Sequence, residues 1–132
     1  MVAYISQLAA QNPQVADMQR IFQSQQAAYA LRPMPSSNER LANLRRLKDV
    51  ILKFQDDLCD AVSQDFGHRS KTETKIAEVL TSLEAVKYSS KNLVGWMKPQ
   101  RRHSGLLATP ASARVVPQPL GVVGVVVPWN YP

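Results

Sequence analysis

The stretch PLGVVGVVVPWNYP, residues 119–132, decides the fold class. From Gly121 to Val127, here called the valine segment, it contains only valine and glycine. β-Branched side chains favour an extended backbone, and the absence of an alternating polar face predicts a strand that is buried on both sides. Such strands lie in the middle of parallel sheets that helices cover. The stretch therefore predicts an α/β fold that supplies this strand with neighbours.

Helical periodicity precedes the valine segment along most of the chain. Val15 to Leu31 places apolar residues at helical spacing, and the prolines that follow should end this helix. The residues from Ser36 to Glu39 provide N-cap candidates and an acid in the first turn. They begin a long amphipathic helix, or two in line, that should end near Gly67. Ser70 or Thr72 begins a third helix, and the apolar stripes together predict a partial helical core.

The sequence between the helices and the valine segment has a different character. Residues 101–110 indicate a basic connector that contains glycine and proline, and Ala113 to Val116 indicates one short strand that Pro117 breaks. A self-contained fold rarely ends on a core strand without its neighbours. We therefore expect the chain to be the N-terminal part of a larger α/β protein.

The composition is that of an ordinary globular protein, with 45% hydrophobic and 20% charged residues among 132. A formal charge of +6 raises nucleic acid or an anionic membrane as a partner. However, basic and acidic residues mix along the helical faces except from Lys98 to His103, where a solvated linker is the favoured interpretation. The sequence has neither a signal peptide pattern nor the roughly 18 apolar residues of a membrane helix. We expect a cytoplasmic protein with no nucleic-acid or membrane partner.

The single cysteine, Cys59, excludes an internal disulfide framework and fits a reducing compartment. It lies on the border of an apolar helical stripe, which indicates a core residue and not a nucleophile. His68 and His103 lack metal-ligand companions at useful spacing, so we expect no metal site. Gly121 and Gly124 precede the predicted strand, whereas a dinucleotide-binding turn follows one. They therefore indicate a tight turn and close strand packing.

Several motifs resemble the aldehyde dehydrogenase superfamily, over residues 37–132. The most specific is Pro128-Trp129-Asn130-Tyr131-Pro132, which matches the signature that ends this segment in that family. The upstream motifs are LRRL at 44–47, Ile51, Leu58, AVSQDFG at 61–67, DFGHRS at 65–70 and GWM at 95–97. Within the superfamily, these motifs are most similar to the coniferyl aldehyde dehydrogenases, near the class 3 branch.

The resemblance implies an NAD(P)-dependent oxidation of an aldehyde to a carboxylic acid, with a small-molecule aldehyde as the substrate. In that family a cysteine thiolate attacks the carbonyl, an asparagine amide and a backbone N–H stabilise the oxyanion, and a glutamate activates water. Asn130 matches this asparagine, and Val127, Pro128, Trp129 and Asn130 match the loop along the cofactor, NAD or NADP. The nucleophilic cysteine and the glutamate have no match here. We therefore expect the chain as given to be inactive.

The resemblance also implies an architecture, the N-terminal fragment of the α/β aldehyde dehydrogenase fold. It consists of three or four helices, a short strand or hairpin, and the first buried strand of a Rossmann-like cofactor domain. The expected segments are an N-terminal helix and linker (1–36), the helical part of the cofactor domain (37–99), a connector with an oligomerisation-type strand (100–118), and the first cofactor-domain strand with its loop (119–132). The family also implies a homo-oligomer, a dimer, for the full-length protein.

Two other functions stay open from the residues alone. The long amphipathic helices could form a stand-alone module that binds a partner protein, and Lys98 to His103 could belong to a basic nucleic-acid-binding domain. A finished module would not expose an unpaired valine strand, and nucleic-acid binding would depend on salt. Asn130 also has a plainer interpretation, as a turn asparagine between prolines.

Overall fold

The computed structural model describes residues 12–131, so residues 1–11 of the predicted N-terminal segment and Pro132 lie outside the described residues. Packing divides the chain into two units. In the described part, the first unit contains residues 12–34 and 119–127, and the second contains residues 35–118 and 128–131.

The first unit is built on helix α1, Pro13–Leu31. The side chain of Asn12 caps it by accepting a hydrogen bond from the backbone N–H of Gln14, and Pro13 occupies the first turn, where its missing N–H costs nothing. The predicted helix is confirmed, but none of its residues is buried. The apolar stripe of α1 therefore contains no buried residue.

The valine segment is the main difference between expectation and structure. We predicted a buried strand, but residues 119–127 form no strand, and the side chains of Val125 and Val126 are 80% and 98% exposed. The physical reason is that a strand exists only with a hydrogen-bonded neighbour. The two strands in the described part of the chain pair with each other and leave the valine segment without a partner.

The second unit begins with two helices in line. This arrangement was one of the two predicted alternatives, the other being a single long helix. Helix α2, Ser37–Lys53, starts with a capping box in which Ser36 and Glu39 each satisfy the other's backbone N–H. Helix α3, Gln55–Asp65, follows after a break at Phe54. The chain then turns at Gly67, whose φ of +65° is the left-handed conformation expected at a helix end.

The third predicted helix starts at Ser70, which caps it through the backbone N–H of Glu73. It has three parts: helix α4, Lys71–Thr74, a π-helical turn, Lys75–Leu80, and helix α5, Thr81–Trp96. The π-helical turn was not predicted from the sequence, because its apolar residues fit the general helical spacing. Such turns insert one extra residue and are frequent near functional sites.

The core of the second unit is small and lies where α2 and α3 pack against the third predicted helix. Its buried residues are Cys59, Val62, Thr74, Val79, Val86 and Leu93. The predicted helical core is therefore present, and Cys59 belongs to it.

A short antiparallel ribbon completes the second unit. Strand β2, Ala113–Val115, was predicted, whereas strand β1, Gln100–Arg102, was predicted only as part of a connector. The register places Arg101 opposite Arg114. Within residues 12–131, the helices α1 to α5 and the two-stranded sheet are consistent with the predicted α/β class.

Candidate functional site

The predicted oxyanion donor lies in residues 128–131, here called the Pro-Trp-Asn-Tyr loop. Trp129 and Asn130 form a turn, and both residues are exposed. The indole of Trp129 is 84% exposed. The side chains of the turn therefore face solvent.

The side-chain amide of Asn130 makes no hydrogen bond to any residue that the structure describes, since only its backbone carbonyl oxygen is engaged. A neutral amide offers two N–H donors and brings no proton that would compete with the reaction. Free donors on a fixed backbone are what is needed to stabilise a negative oxygen that develops during a reaction. The geometry of Asn130 is therefore compatible with its predicted role.

One arginine anchors this loop to the start of the third predicted helix. Nη1 of Arg69 lies 3.4 Å from the carbonyl oxygen of Asn130, and the guanidinium carbon lies 4.5 Å from the ring centroid of Tyr131. The hydroxyl group of Tyr131 lies 3.5 Å from Oε1 of Glu73. No role was predicted for Arg69 from the sequence, in which it is one residue of the DFGHRS motif.

Val127 is the one predicted cofactor-binding residue that belongs to the first unit. Its side chain is 59% exposed. Pro128, Trp129 and Asn130 belong to the second unit. The four residues are contiguous in the chain, and each exposes surface to solvent.

The one cysteine of the chain is not available for chemistry in this structure. Cys59 is 0% exposed and lies in α3. This confirms the prediction that it is a core residue. His68 and His103 are exposed, and no group of three metal-ligating side chains occurs within residues 12–131.

The strongest electrostatic perturbations occur in surface ion pairs between α3 and the third predicted helix. Hydrogen bonding to Lys75 lowers the pKa of Asp56 below its ordinary 3.8, and the same contact raises the pKa of Lys75 above 10.5. Hydrogen bonding to Asp60 likewise raises the pKa of Lys71. All of these groups are solvent-accessible, so the pairs join two helices and do not prepare a group for catalysis.

The sequence matches the model of the aldehyde dehydrogenase family over residues 5–132. The chain belongs to the aldehyde dehydrogenase family. It is 46% identical, over its whole length, to a probable coniferyl aldehyde dehydrogenase of Pseudomonas aeruginosa. It is 38% identical over 89% of its length to a probable coniferyl aldehyde dehydrogenase of Caulobacter vibrioides, and 41% identical over 70% to a coniferyl aldehyde dehydrogenase of a Pseudomonas species.

The chain spans only part of these relatives, namely 28%, 25% and 19% of their respective lengths. The predicted resemblance is therefore confirmed for a segment of the family's proteins. In the part that the structure describes, no helix has the length and apolar character needed to cross a membrane.

Proposed function

We propose that this chain forms part of an NAD(P)-dependent aldehyde dehydrogenase. The enzyme would oxidise an aldehyde of the aromatic, coniferyl type to a carboxylic acid. The observation that supports this most is the 46% identity that extends over all 132 residues to a probable coniferyl aldehyde dehydrogenase. The unengaged amide of Asn130 supplies the chemical basis within these residues. The proposed substrate class follows from the names of the relatives, which are coniferyl aldehyde dehydrogenases or probable ones.

Asn130 would act at the aldehyde oxygen. When a thiolate adds to the carbonyl carbon, the oxygen gains negative charge, and an amide N–H aimed at it stabilises that charge more than it stabilises the uncharged aldehyde. Because the backbone of Asn130 is held by Arg69, the amide would need little reorganisation when the charge develops.

The residues before Asn130 would hold the cofactor. Val127 and Trp129 expose apolar surface, and Pro128 between them has no N–H that would need a partner. Exposed apolar side chains and backbone groups of this kind suit contact with a cofactor, so each of these residues is compatible with binding of NAD or NADP. The bound cofactor would supply the hydride acceptor for the oxidation.

The 132-residue chain by itself should not oxidise aldehydes, because its one cysteine is fully buried. We expect no reduced cofactor when the purified chain is mixed with coniferyl aldehyde and NAD or NADP. Aldehyde-dependent NADH formation that the Cys59→Ala variant abolishes would contradict this expectation.

The substrate proposal is tested in a protein of full family length that contains these residues. We expect it to oxidise coniferyl aldehyde with a higher kcat/KM than a short saturated aldehyde. A preference for the saturated aldehyde would contradict the aromatic class. Failure to oxidise any aldehyde with either cofactor would contradict the function as a whole.

The remaining expectations belong to the same proposal. A homodimer is supported by the β1–β2 ribbon, whose outer edges have no partner strand among residues 12–131. A cytoplasmic location is supported by the free thiol of Cys59.

The two alternative functions have less support. The match to the family includes Lys98 to His103, so family membership accounts for these basic residues without nucleic-acid binding. No observation favours the stand-alone interaction module.

A further inference from the structure

Arg69 is unusual among the charged residues of the second unit because it is almost buried. Its side chain is 9% exposed, although it lies in the short connection between α3 and α4. A guanidinium group removed from water needs charged or hydrogen-bonding partners, since its desolvation is otherwise strongly unfavourable. Its contacts therefore indicate what this position is built to hold.

Two carboxylates and two aromatic rings surround the guanidinium group. One of the rings belongs to Phe66 of the preceding turn, and its centroid lies 5.6 Å from the guanidinium carbon. Nη2 lies 3.4 Å from Oε1 of Glu73, and Nη1 lies 3.0 Å from Oε1 of Glu78. The ring of Tyr131 stacks against the same group, which is a favourable cation–π contact. The carboxylates of Glu73 and Glu78 belong to the third predicted helix, whereas the ring of Tyr131 belongs to the Pro-Trp-Asn-Tyr loop.

The contacts form a closed network. Glu73 accepts from Arg69 and lies 3.5 Å from the hydroxyl group of Tyr131, so the loop touches both members of the ion pair. The carbonyl oxygen of Asn130 adds a further acceptor for Nη1. A planar guanidinium group donates in fixed directions, which a lysine ammonium group cannot reproduce. The orientation of the arginine therefore allows it to contact the backbone of Asn130 and the ring of Tyr131 at the same time.

We propose that Arg69 is a positioning residue, which holds the Pro-Trp-Asn-Tyr loop so that the side-chain amide of Asn130 is presented from a fixed backbone. The inference rests on the proposed function, because Arg69 would affect the reaction only through Asn130. A displacement of about 1 Å at a reacting group can cost about a hundredfold in rate. Arg69 would thus influence turnover without touching the substrate.

The first test measures loop motion in the 132-residue chain and needs no activity. Trp96→Phe leaves Trp129, next to Asn130, as the one tryptophan, since the chain contains 2. We expect Arg69→Met and Arg69→Lys to increase the amplitude of local motion in the fluorescence anisotropy decay of Trp129. The control is Arg46→Met, which removes an exposed arginine of α2 and should leave the decay unchanged. An unchanged decay in Arg69→Met would overturn the proposal.

Loss of Arg69 also leaves the carboxylate of Glu78, which is 16% exposed, without its charged partner, and this could unfold the second unit. The Arg69→Met, Glu78→Gln double variant removes the unpaired charge of the Glu78 carboxylate and keeps the shape of that side chain. We expect it to retain the helical circular dichroism of the unmodified chain while Trp129 remains mobile. A folded double variant with an ordered Trp129 would likewise overturn the proposal.

The second test is a double-mutant cycle in a protein of full family length. We expect Arg69→Met to lower kcat by about tenfold to about a hundredfold with little change in KM for the aldehyde. In an Asn130→Ala background the same change should have almost no further effect, because the amide it positions is gone. Equal losses in both backgrounds would assign Arg69 a structural role only. If Asn130→Ala alone has no effect, the proposed function fails, whereas the anisotropy test still decides the role of Arg69.

Discussion

The hydroxyl group of Tyr29 donates a hydrogen bond to the carbonyl oxygen of Pro119 at 2.9 Å, which joins α1 to the residues just before the valine segment. The same ring lies against Gly121, where a Cβ atom would be 3.4 Å from Cε1 of Tyr29. Gly121 also has a φ of +100°, which residues with a side chain rarely adopt. The first unit therefore depends on a glycine at this position.

We predict that Gly121→Ala destabilises the first unit by about 1–2 kcal/mol, because the positive φ is unfavourable for alanine, whereas the added methyl group would make an ordinary contact with the Tyr29 ring. Hydrogen exchange of the α1 amides would measure the change. Gly95→Ala in α5 is the matched control, since a Cβ atom there meets nothing within 4 Å. It should be neutral or stabilising, by up to about 1 kcal/mol. Equal destabilisation by both changes would contradict this account of Gly121.

The exposed valine segment predicts self-association of the purified chain at micromolar concentration. Val123 and Val125 are 63% and 80% exposed, and their backbone groups can pair with another copy. We expect Val123→Lys with Val125→Lys to reduce the sedimenting aggregate while helical circular dichroism is retained. As a control, Leu106→Lys with Leu107→Lys removes comparable exposed apolar surface from a 3-10 turn and should reduce association less. A monodisperse monomer from the unmodified chain would contradict the prediction.

The ion pair between Asp56 and Lys75, with 2.8 Å between the charged atoms, predicts a pH dependence of stability. The lowered pKa of Asp56 means that its contribution is present above its ordinary 3.8 and is lost as the pH falls through the lower, folded-state value. The raised pKa of Lys75 means that its contribution is present below 10.5 and is lost as the pH rises through the folded-state value.

We therefore expect Lys75→Met to reduce the acid-side decline in the free energy of unfolding, measured by urea denaturation from about pH 2 to about pH 7. The effect should be small, because both side chains are exposed. Lys91→Met is the control, since Lys91 is exposed and has no ion pair among the described residues. An identical acid-side decline in the unmodified chain and in Lys75→Met would exclude this pair as its cause.

The helix boundaries could be predicted because their signals are local. The capping box of Ser36 and Glu39 and the left-handed Gly67 act within a few residues of the chain, so their effect is visible in the sequence. The conformation of the valine segment was predicted wrongly, since the expected strand is not formed. Its side chains favour an extended backbone, but a ladder needs a neighbour, and β1 and β2 pair with each other.

The candidate site was predictable in one part and not in another. The resemblance predicts a role for Asn130, and this role stays a prediction, while the structure leaves the side-chain amide unengaged by other described residues. Arg69 was missed because its partners, Asn130 and Tyr131, lie about sixty residues further along the chain. A single arginine after a helix carries no sequence signal for such a contact. Long-range packing alone determines that it holds the loop.

We propose that the side-chain amide of Asn130 stabilises the oxyanion, and single-turnover acylation in a protein of full family length measures this claim most directly. Asn130→Ala removes the amide, and Asn130→Asp keeps its shape but replaces the N–H donors with a carboxylate. We predict that both lower the acylation rate by roughly two to three powers of ten, while the affinity for the cofactor changes little. An acylation rate within about twofold of the unmodified enzyme in both variants would contradict the claim.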